Sequence, residues 1–129
     1  MTTEAVLIVD DNLTNLKLAR VLLVAAGFEV RTAADAEEAL ETLKSFHPKL
    51  ILMDIQLPGM DGLTLTRQLK CDPATRDIII VALTAYAMKG DDEKARASGC
   101  AGYITKPLDT RSFAAEVGRY LLDARPGAP

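Results

Sequence analysis

The sequence has few of the residues that mark disulfide-bonded, zinc-binding or membrane-spanning proteins. Its 129 residues include two cysteines, one histidine and no tryptophan. Cys71 and Cys100 form no Cys-x-x-Cys motif, which excludes a disulfide framework and a zinc site and favours a reducing compartment, the cytoplasm. The longest uncharged stretch, residues 78–88, is shorter than the roughly 20 apolar residues that span a bilayer. No basic region precedes the first apolar run, as a signal peptide would require.

An excess of basic residues is also missing. Lysine and arginine number 15 against 18 aspartates and glutamates, which gives a net charge of −3. Nucleic acids and anionic membranes bind basic surfaces, so we expect neither as a partner. Apolar residues make up 49% of the chain, enough for one domain with a real core. We expect this domain over residues 1–123 and a frayed tail over 124–129, where two prolines and a glycine cannot continue a helix.

The apolar residues that are present follow two alternating periods. Short continuous runs predict strands buried on both faces, as in parallel sheets covered by helices. These runs are Ala5–Val9, Leu50–Met53 and Ile78–Leu83. Phe28–Thr32 alternates apolar and charged residues, which predicts an edge strand, and Gly102–Thr105 is a weaker fifth strand.

Helical patterns separate the predicted strands. The first helix is expected to bury Leu18, Val21, Leu22 and Ala25 and to end near Gly27. Alternating strands and helices with right-handed crossovers predict an α/β fold with helices on both faces of an open parallel sheet. An edge position for the second strand agrees with the order 2-1-3-4-5. The expected fold is therefore a flavodoxin-like (βα)5 three-layer sandwich.

The informative polar residues follow the ends of the predicted strands. Asp10 and Asp11 follow the first strand, Asp54 the third, Thr84 ends the fourth and Lys106 follows the fifth. In open α/β sheets, ligands bind outside the carboxyl ends of the strands, where the strand order reverses. Three carboxylates gathered there repel one another unless one is protonated or a cation such as Mg²⁺ joins them. With a lysine and a hydroxyl beside them, the set suggests phosphoryl transfer onto a carboxylate.

Four motifs, in this order, resemble the receiver domain of two-component response regulators. They are Val9-Asp10-Asp11-Asn12, Leu52 to Gly62 (LMDIQLPGMDG), Leu83-Thr84-Ala85 and Lys106-Pro107. The resemblance extends over essentially the whole chain. The stretch Thr84 to Gly90, with Gly99-Cys100, is similar to single-domain cell-division regulators of the DivK type and to receivers attached to hybrid histidine kinases.

The resemblance implies a role for each matching residue near the third strand. Asp54 would be the phosphoacceptor, taking a phosphoryl group from a phosphohistidine of a sensor kinase or phosphotransferase. Asp11, Asp54 and the backbone carbonyl of Gln56 would ligate Mg²⁺, the only cofactor expected, and Asp10 would act mainly through a metal-bound water. The phosphorylated state would change partner binding and reset by slow self-dephosphorylation, so we expect a signalling domain and no enzyme in the usual sense.

The resemblance also implies roles in the fourth and fifth strands. Thr84 and Lys106 would contact the phosphoryl oxygens and share in catalysis with Asp54. Thr84 and Tyr103 would form the switch, and the bond before Pro107 would be cis, which is rare among X-Pro bonds in general.

Other interpretations stay open from the sequence. Asp10 and Asp11 are also suited to capping the first helix, as are Asn12 and Thr14. Tyr103 is also suited to half-buried packing. The chain is compatible with an excised receiver of a hybrid kinase. An aspartyl phosphatase of the dehalogenase type would need Asp-x-Asp where Asp10-Asp11-Asn12 stands, and a flavin binder would need a loop without the two aspartates.

Overall fold

The computed structural model describes residues 4–84, 91–106 and 108–123, with the side chains of 91, 92 and 123 left out. Within these residues, strands and helices alternate along the chain. The strands are β1 (Ala5–Val9), β2 (Glu29–Ala33), β3 (Leu50–Asp54), β4 (Ile79–Thr84) and β5 (Gly102–Thr105). The helices are α1 (Leu13–Ala25), α2 (Ala36–Leu43), α3 (Gly62–Cys71), α4 (Asp91–Ala97) and α5 (Phe113–Asp123).

The strands form one parallel sheet in the order β2-β1-β3-β4-β5, which confirms the predicted fold class. In this order β1 lies between β2 and β3, and the chain reverses its direction of winding there. Val9 pairs with Met53, so β1 and β3 end at the same level of the sheet. The residues that follow, Asp10 and Asp54, are therefore neighbours at the carboxyl edge.

Side chains of alternate residues in the strands feed two separate cores. Leu7 and Val9 of β1 point to the side that packs against α2, α3 and α4. Val6 and Ile8 point to the opposite side, which packs against α1 and α5. All four are fully buried, as expected for strands covered on both faces. No helix among the described residues combines the length and hydropathy needed to cross a membrane.

Several strand bounds differ by one residue from those predicted. Asp54 still pairs with Leu83, so β3 continues one residue further than its apolar run indicates. β4 begins at Ile79, one residue later than predicted, and ends at Thr84 as predicted. The pairing uses backbone groups and does not depend on side-chain polarity. Phe28 lies outside β2 because its N–H bonds the carbonyl of Leu23 at the end of α1.

The apolar face predicted for α1 is wrong. The helix buries Leu16, Ala19 and Leu23, whereas the predicted Val21 is 60% exposed. Apolar residues occur almost all round this helix, so their spacing fits more than one face. The packing against the sheet selects one face and leaves the others in solvent. The predicted end is confirmed: Gly27 follows the helix with φ 97°, a left-handed conformation that favours glycine.

Candidate functional site

The polar residues predicted at the strand ends come together at the carboxyl edge of the sheet. Asp10 follows β1, Asp54 and Thr84 end β3 and β4, and Lys106 follows β5. Asp10 is 1% and Asp54 4% exposed. Two carboxylates so far from water are costly unless they have charged or hydrogen-bonding partners.

Lys106 is the partner of both buried carboxylates. Its Nζ lies 2.9 Å from Oδ2 of Asp10 and 3.3 Å from Oδ2 of Asp54. Its backbone N–H donates to the carbonyl of Thr84 at 2.7 Å, which holds the residue at the end of β4. One ammonium group thus compensates two carboxylates, and a net negative charge remains in the site.

In the loops after β1 and β3, a hydrogen bond from a backbone N–H two residues ahead orients each of these carboxylates. Oδ1 of Asp10 accepts from the N–H of Asn12 at 2.9 Å, and Oδ1 of Asp54 accepts from the N–H of Gln56 at 3.0 Å. Each is a turn in which an aspartate bonds the backbone two residues ahead. The N-cap of α1 is Asn12, whose Oδ1 accepts from the N–H of Asn15 at 3.1 Å. Capping therefore does not account for Asp10 or Asp11.

The pKa values of the site follow from this arrangement. Burial, with a smaller contribution from the charge of Asp10, raises the pKa of Asp54 from 3.8 to about 6, against the lowering effect of the Gln56 N–H and Lys106. Burial alone would lower the pKa of Lys106, but its bonds and charge interactions with Asp10 and Asp54 outweigh it and raise that pKa. Lys106 is therefore a permanent cation, and Asp54 is a more basic carboxylate than an exposed aspartate.

The three aspartates form a group that fits a divalent cation. One carboxylate oxygen from each of Asp10, Asp11 and Asp54 lies within 4.8 Å of the others. Asp11 is exposed, so the group opens to solvent on one side. Carboxylate oxygens are the hard donors that Mg²⁺ prefers, and Mg²⁺ keeps several of its waters. A cation here would also offset the negative charge that Lys106 leaves uncompensated.

A cleft of about 1100 Å³ lies over this edge of the sheet. Asp11, Asp54, Gln56, Thr84 and Lys106 are among the residues that line it. Asp10 is absent from the lining, in keeping with its burial behind Lys106. Tyr103 is also absent, and its side chain lies exposed on β5.

The first turn of α3 forms a wall of the cleft because Gly62 has no side chain. The N–H of Gly62 donates to the carbonyl of Ile55 at 2.8 Å, and a Cβ on Gly62 would collide with the backbone of Asp54. Asp61 caps the helix by accepting from the N–H of Thr64 at 2.8 Å. The Asp61-Gly62 pair therefore sets α3 directly against the end of β3.

Some predicted features lie outside the described residues. These are the peptide bond before Pro107, residues 85–90 of the DivK-type stretch, and the tail 124–129. The structure also places two basic residues, Arg67 and Lys94, in the lining of the cleft, where the sequence analysis expected neither. Basic residues on exposed helices are common, and only the packing of α3 beside α4 turns these two toward the cleft.

Comparison with known proteins shows which protein family the chain belongs to. Residues 6–117 match the family model described as response regulator receiver domain. The chain belongs to this family, whose members are signalling domains rather than classical enzymes and generally bind Mg²⁺ at an acidic pocket like the one formed by the three aspartates.

Within the family, the chain is similar to response regulators named DivK. The chain is 47% identical over 122 residues to the polar-differentiation response regulator DivK of Brucella ovis, covering 95% of this chain and 99% of the relative. It is 46% identical to the DivK of Brucella anthropi over 121 residues, covering 94% and 98%.

Solved structures agree on the fold. The chemotaxis response regulator CheY4 of Vibrio cholerae matches with a TM-score of 0.87 at 27% identity, covering 92% of this chain and 99% of that one. A CheY-like receiver domain protein of Methanospirillum hungatei matches with a TM-score of 0.86 at 28% identity, covering 95% and 97%.

Proposed function

We propose that this chain is a phosphoacceptor response regulator of a two-component or phosphorelay system, in which Asp54 accepts a phosphoryl group from a phosphohistidine of a sensor kinase or phosphotransferase. The observation that carries the proposal is the contact of Lys106 with a carboxylate that also lines the cleft. A phosphoryl group on that carboxylate would contact the Lys106 ammonium, and a donor protein could reach the carboxylate through the cleft.

Only Asp54 meets both requirements among the three aspartates. Asp10 contacts Lys106 but is buried and does not line the cleft. Asp11 lines the cleft, yet no ion pair in the described part of the chain involves it. Asp54 lines the cleft and lies 3.3 Å from the lysine.

The chemistry follows from the charges. A carboxylate oxygen of Asp54 attacks phosphorus, an O–P bond forms, and the P–N bond of the phosphohistidine breaks with its electron pair leaving on the imidazole. Lys106 and the hydroxyl of Thr84 receive the phosphoryl oxygens at the neighbouring strand ends. Mg²⁺ held by the three aspartates and the carbonyl of Gln56 would offset the charge of those oxygens.

The same residues connect the site to a switch. The backbone bond from Lys106 to Thr84 links the ends of β5 and β4, and Tyr103 lies three residues earlier on β5. When Asp54 is phosphorylated, Lys106 and Thr84 move toward the phosphoryl oxygens. This movement favours one arrangement of β5 over another, and the two arrangements differ in the position of Tyr103. Phosphorylation then shifts the population between two states that a downstream protein distinguishes, until slow hydrolysis of the acyl phosphate releases inorganic phosphate and restores the Asp54 carboxylate.

Helix α1 supports a protein as the phosphodonor. Leu13, Leu18, Val21 and Val24 are all exposed on this helix, and its first turn begins beside the cleft at Asn12. Contiguous exposed apolar side chains are typical of protein docking surfaces. A donor lying along α1 would bring its histidine over Asp54.

The central test is phosphotransfer from candidate phosphorylated kinases and from phosphoramidate, a small-molecule donor. Asp54→Asn is expected to abolish labelling from both, because an amide is not a nucleophile toward phosphorus. Asp61→Asn is the matched control, since Asp61 also lines the cleft and asparagine still caps α3. Labelling of Asp54→Asn at the wild-type level would place the acceptor elsewhere.

A second test addresses docking. Val21→Glu is expected to slow transfer from a kinase relative to labelling by phosphoramidate, because a charge on α1 opposes apolar contact with the donor. Leu122→Glu is the control, since Leu122 on α5 is 59% exposed against 60% for Val21. Equal slowing by both variants would remove α1 as the docking surface.

A further inference from the structure

The cleft is larger than the acidic site needs. Its volume of about 1100 Å³ is at the upper end of small-molecule pockets, whereas one phosphoryl group with a hydrated ion is much smaller. The additional space runs from Asp54 to a region between α3 and α4. We call this region the α3–α4 lobe. It is lined by Leu63, Arg67, Lys94, Ala97 and Ser98.

The charge of the α3–α4 lobe is opposite to that of the acidic site. Among the described residues, Arg67 donates to two hydroxyl oxygens, with Nη1 3.4 Å from Oγ of Ser98 and Nη2 3.4 Å from Oγ1 of Thr64. Its charge is also one of the smaller causes that lower the pKa of Asp61, which lines the same cleft. In the part of the chain that the structure describes, neither Arg67 nor Lys94 forms an ion pair with a carboxylate. One cleft therefore holds the buried acidic group around Asp54 and, on α3 and α4, two cations that form no ion pair among the described residues, with Asp61 as a further acidic residue in its lining.

The other residues that line the α3–α4 lobe are a buried serine and two apolar side chains. The hydroxyl of Ser98 is buried and donates to the carbonyl of Lys94 at 3.0 Å, which leaves its oxygen to face Arg67. Leu63 and Ala97 supply apolar surface beside the charges. A guanidinium and an ammonium in the lining of the same lobe suit a carboxylate, and the apolar residues suit the methylene groups of a Glu or Asp side chain.

We propose that the α3–α4 lobe binds an acidic side chain of the phosphodonor protein, so that the donor is held at both ends of the cleft. This inference rests on the proposed function, because the donor's phosphohistidine must lie over Asp54. A protein already seated there presents a nearby carboxylate to Arg67 and Lys94 at high effective concentration. A free anion lacks that advantage and competes with water for two exposed cations.

The proposal sets the expected size and kind of the effect. Arg67 and Lys94 are exposed, so their contribution falls mainly on association rate and is screened by salt. Reversing one of these charges is expected to raise the receiver concentration for half-maximal transfer by about threefold to tenfold. The effect should shrink as ionic strength rises.

The test compares Lys94→Glu and Arg67→Glu with Arg96→Glu. Arg96 lies on α4 but does not line the cleft, so the control changes the net charge equally. The donor is the kinase or phosphotransferase that labels the wild type fastest, and each rate is divided by the phosphoramidate labelling rate of the same variant. Both lobe variants should lower this ratio at low salt, and Arg96→Glu should not. No fall in the lobe variants, or an equal fall in all three, overturns the proposal.

Two further arms separate the possible failures. If phosphoramidate does not label the wild type at Asp54, the proposed function itself fails. In ¹⁵N chemical-shift titrations with Mg²⁺ present, hexaglutamate should perturb the amides of residues 63–67 and 94–98, and Lys94→Glu should weaken this binding. Lys94→Gln removes the charge without reversing it and should give an intermediate result. Equal binding of inorganic phosphate would assign the lobe to free anions and overturn the docking proposal.

Discussion

The two ends of the sheet carry charge in different ways. At the carboxyl end, Asp10 and Asp54 are nearly excluded from water and share Lys106. At the amino end, His47 before β3 and Asp77 before β4 are 3.5 Å apart, and both side chains are exposed. Solvent and salt screen the second pair and leave it of little energetic consequence. The carboxyl end keeps two buried carboxylates against one cation, and on the proposed function this arrangement serves phosphoryl transfer.

The largest expected effect comes from removing the shared cation. Lys106→Met leaves two buried carboxylates without compensation, so the free energy of unfolding at pH 7 should fall by about 3 kcal/mol. Urea denaturation measures it. Lys44→Met is the matched control, because Lys44 also lies 2.9 Å from a carboxylate, that of Glu41, with both side chains more than 70% exposed. The control should lose less than about 0.5 kcal/mol, and a similar loss in both variants would erase the contrast between buried and exposed pairs.

The next effect has the opposite sign and depends on pH. The pKa of Asp54 is raised to about 6, so the folded state binds its proton more tightly than the unfolded state does, and the contribution of Asp54 to stability falls as the pH rises from about 4 to 6. Asp54→Asn cannot ionise and escapes this loss. We expect the variant to be more stable at pH 7 by up to about 3 kcal/mol, the free energy that corresponds to a rise in pKa from 3.8 to about 6, with the gain disappearing near pH 4. Urea midpoints at pH 4, 5, 6 and 7 measure this, and a gain that does not change with pH would contradict it.

The smallest of the three is the response to Mg²⁺. A cation that binds only the folded state stabilises it by RT ln(1 + [L]/Kd), about 1.4 kcal/mol at ten times Kd. Thermal unfolding should show a rise of a few degrees in the wild type at low salt. Asp11→Ala removes one carboxylate of the group and should abolish the rise in melting temperature. For the wild type, NaCl at the same ionic strength without any divalent cation should not produce this rise. An equal rise in Asp11→Ala would move the cation to another place.

The residues at the carboxyl end of the sheet could be predicted from the sequence, but not all of their contacts could. Continuous apolar runs predict strands buried on both faces, and parallel pairing then brings together whatever follows them, so Asp10, Asp54 and Lys106 could be placed from the sequence alone. The double contact of Lys106 could not, because it depends on side-chain reach across three strands. Its expected partner was the phosphoryl group.

Features that depend on how helices pack were harder to predict. The apolar spacing of α1 fits several faces, and the contact with the sheet alone selects Leu16 over Val21. Arg67 and Lys94 resemble ordinary exposed charges until α3 and α4 are placed side by side. In each case the missing information is a distance between elements, which periodicity along the chain does not contain.

The ion pair between Asp10 and Lys106 joins the segment after the first strand to the segment after the last. We expect this contact to form late in folding, because closing the long intervening chain costs entropy that the assembled sheet recovers. The counter-ion of Asp54 thus arrives only when the domain is complete. On the proposed function, the phosphoacceptor site is therefore complete only in molecules whose whole sheet has formed.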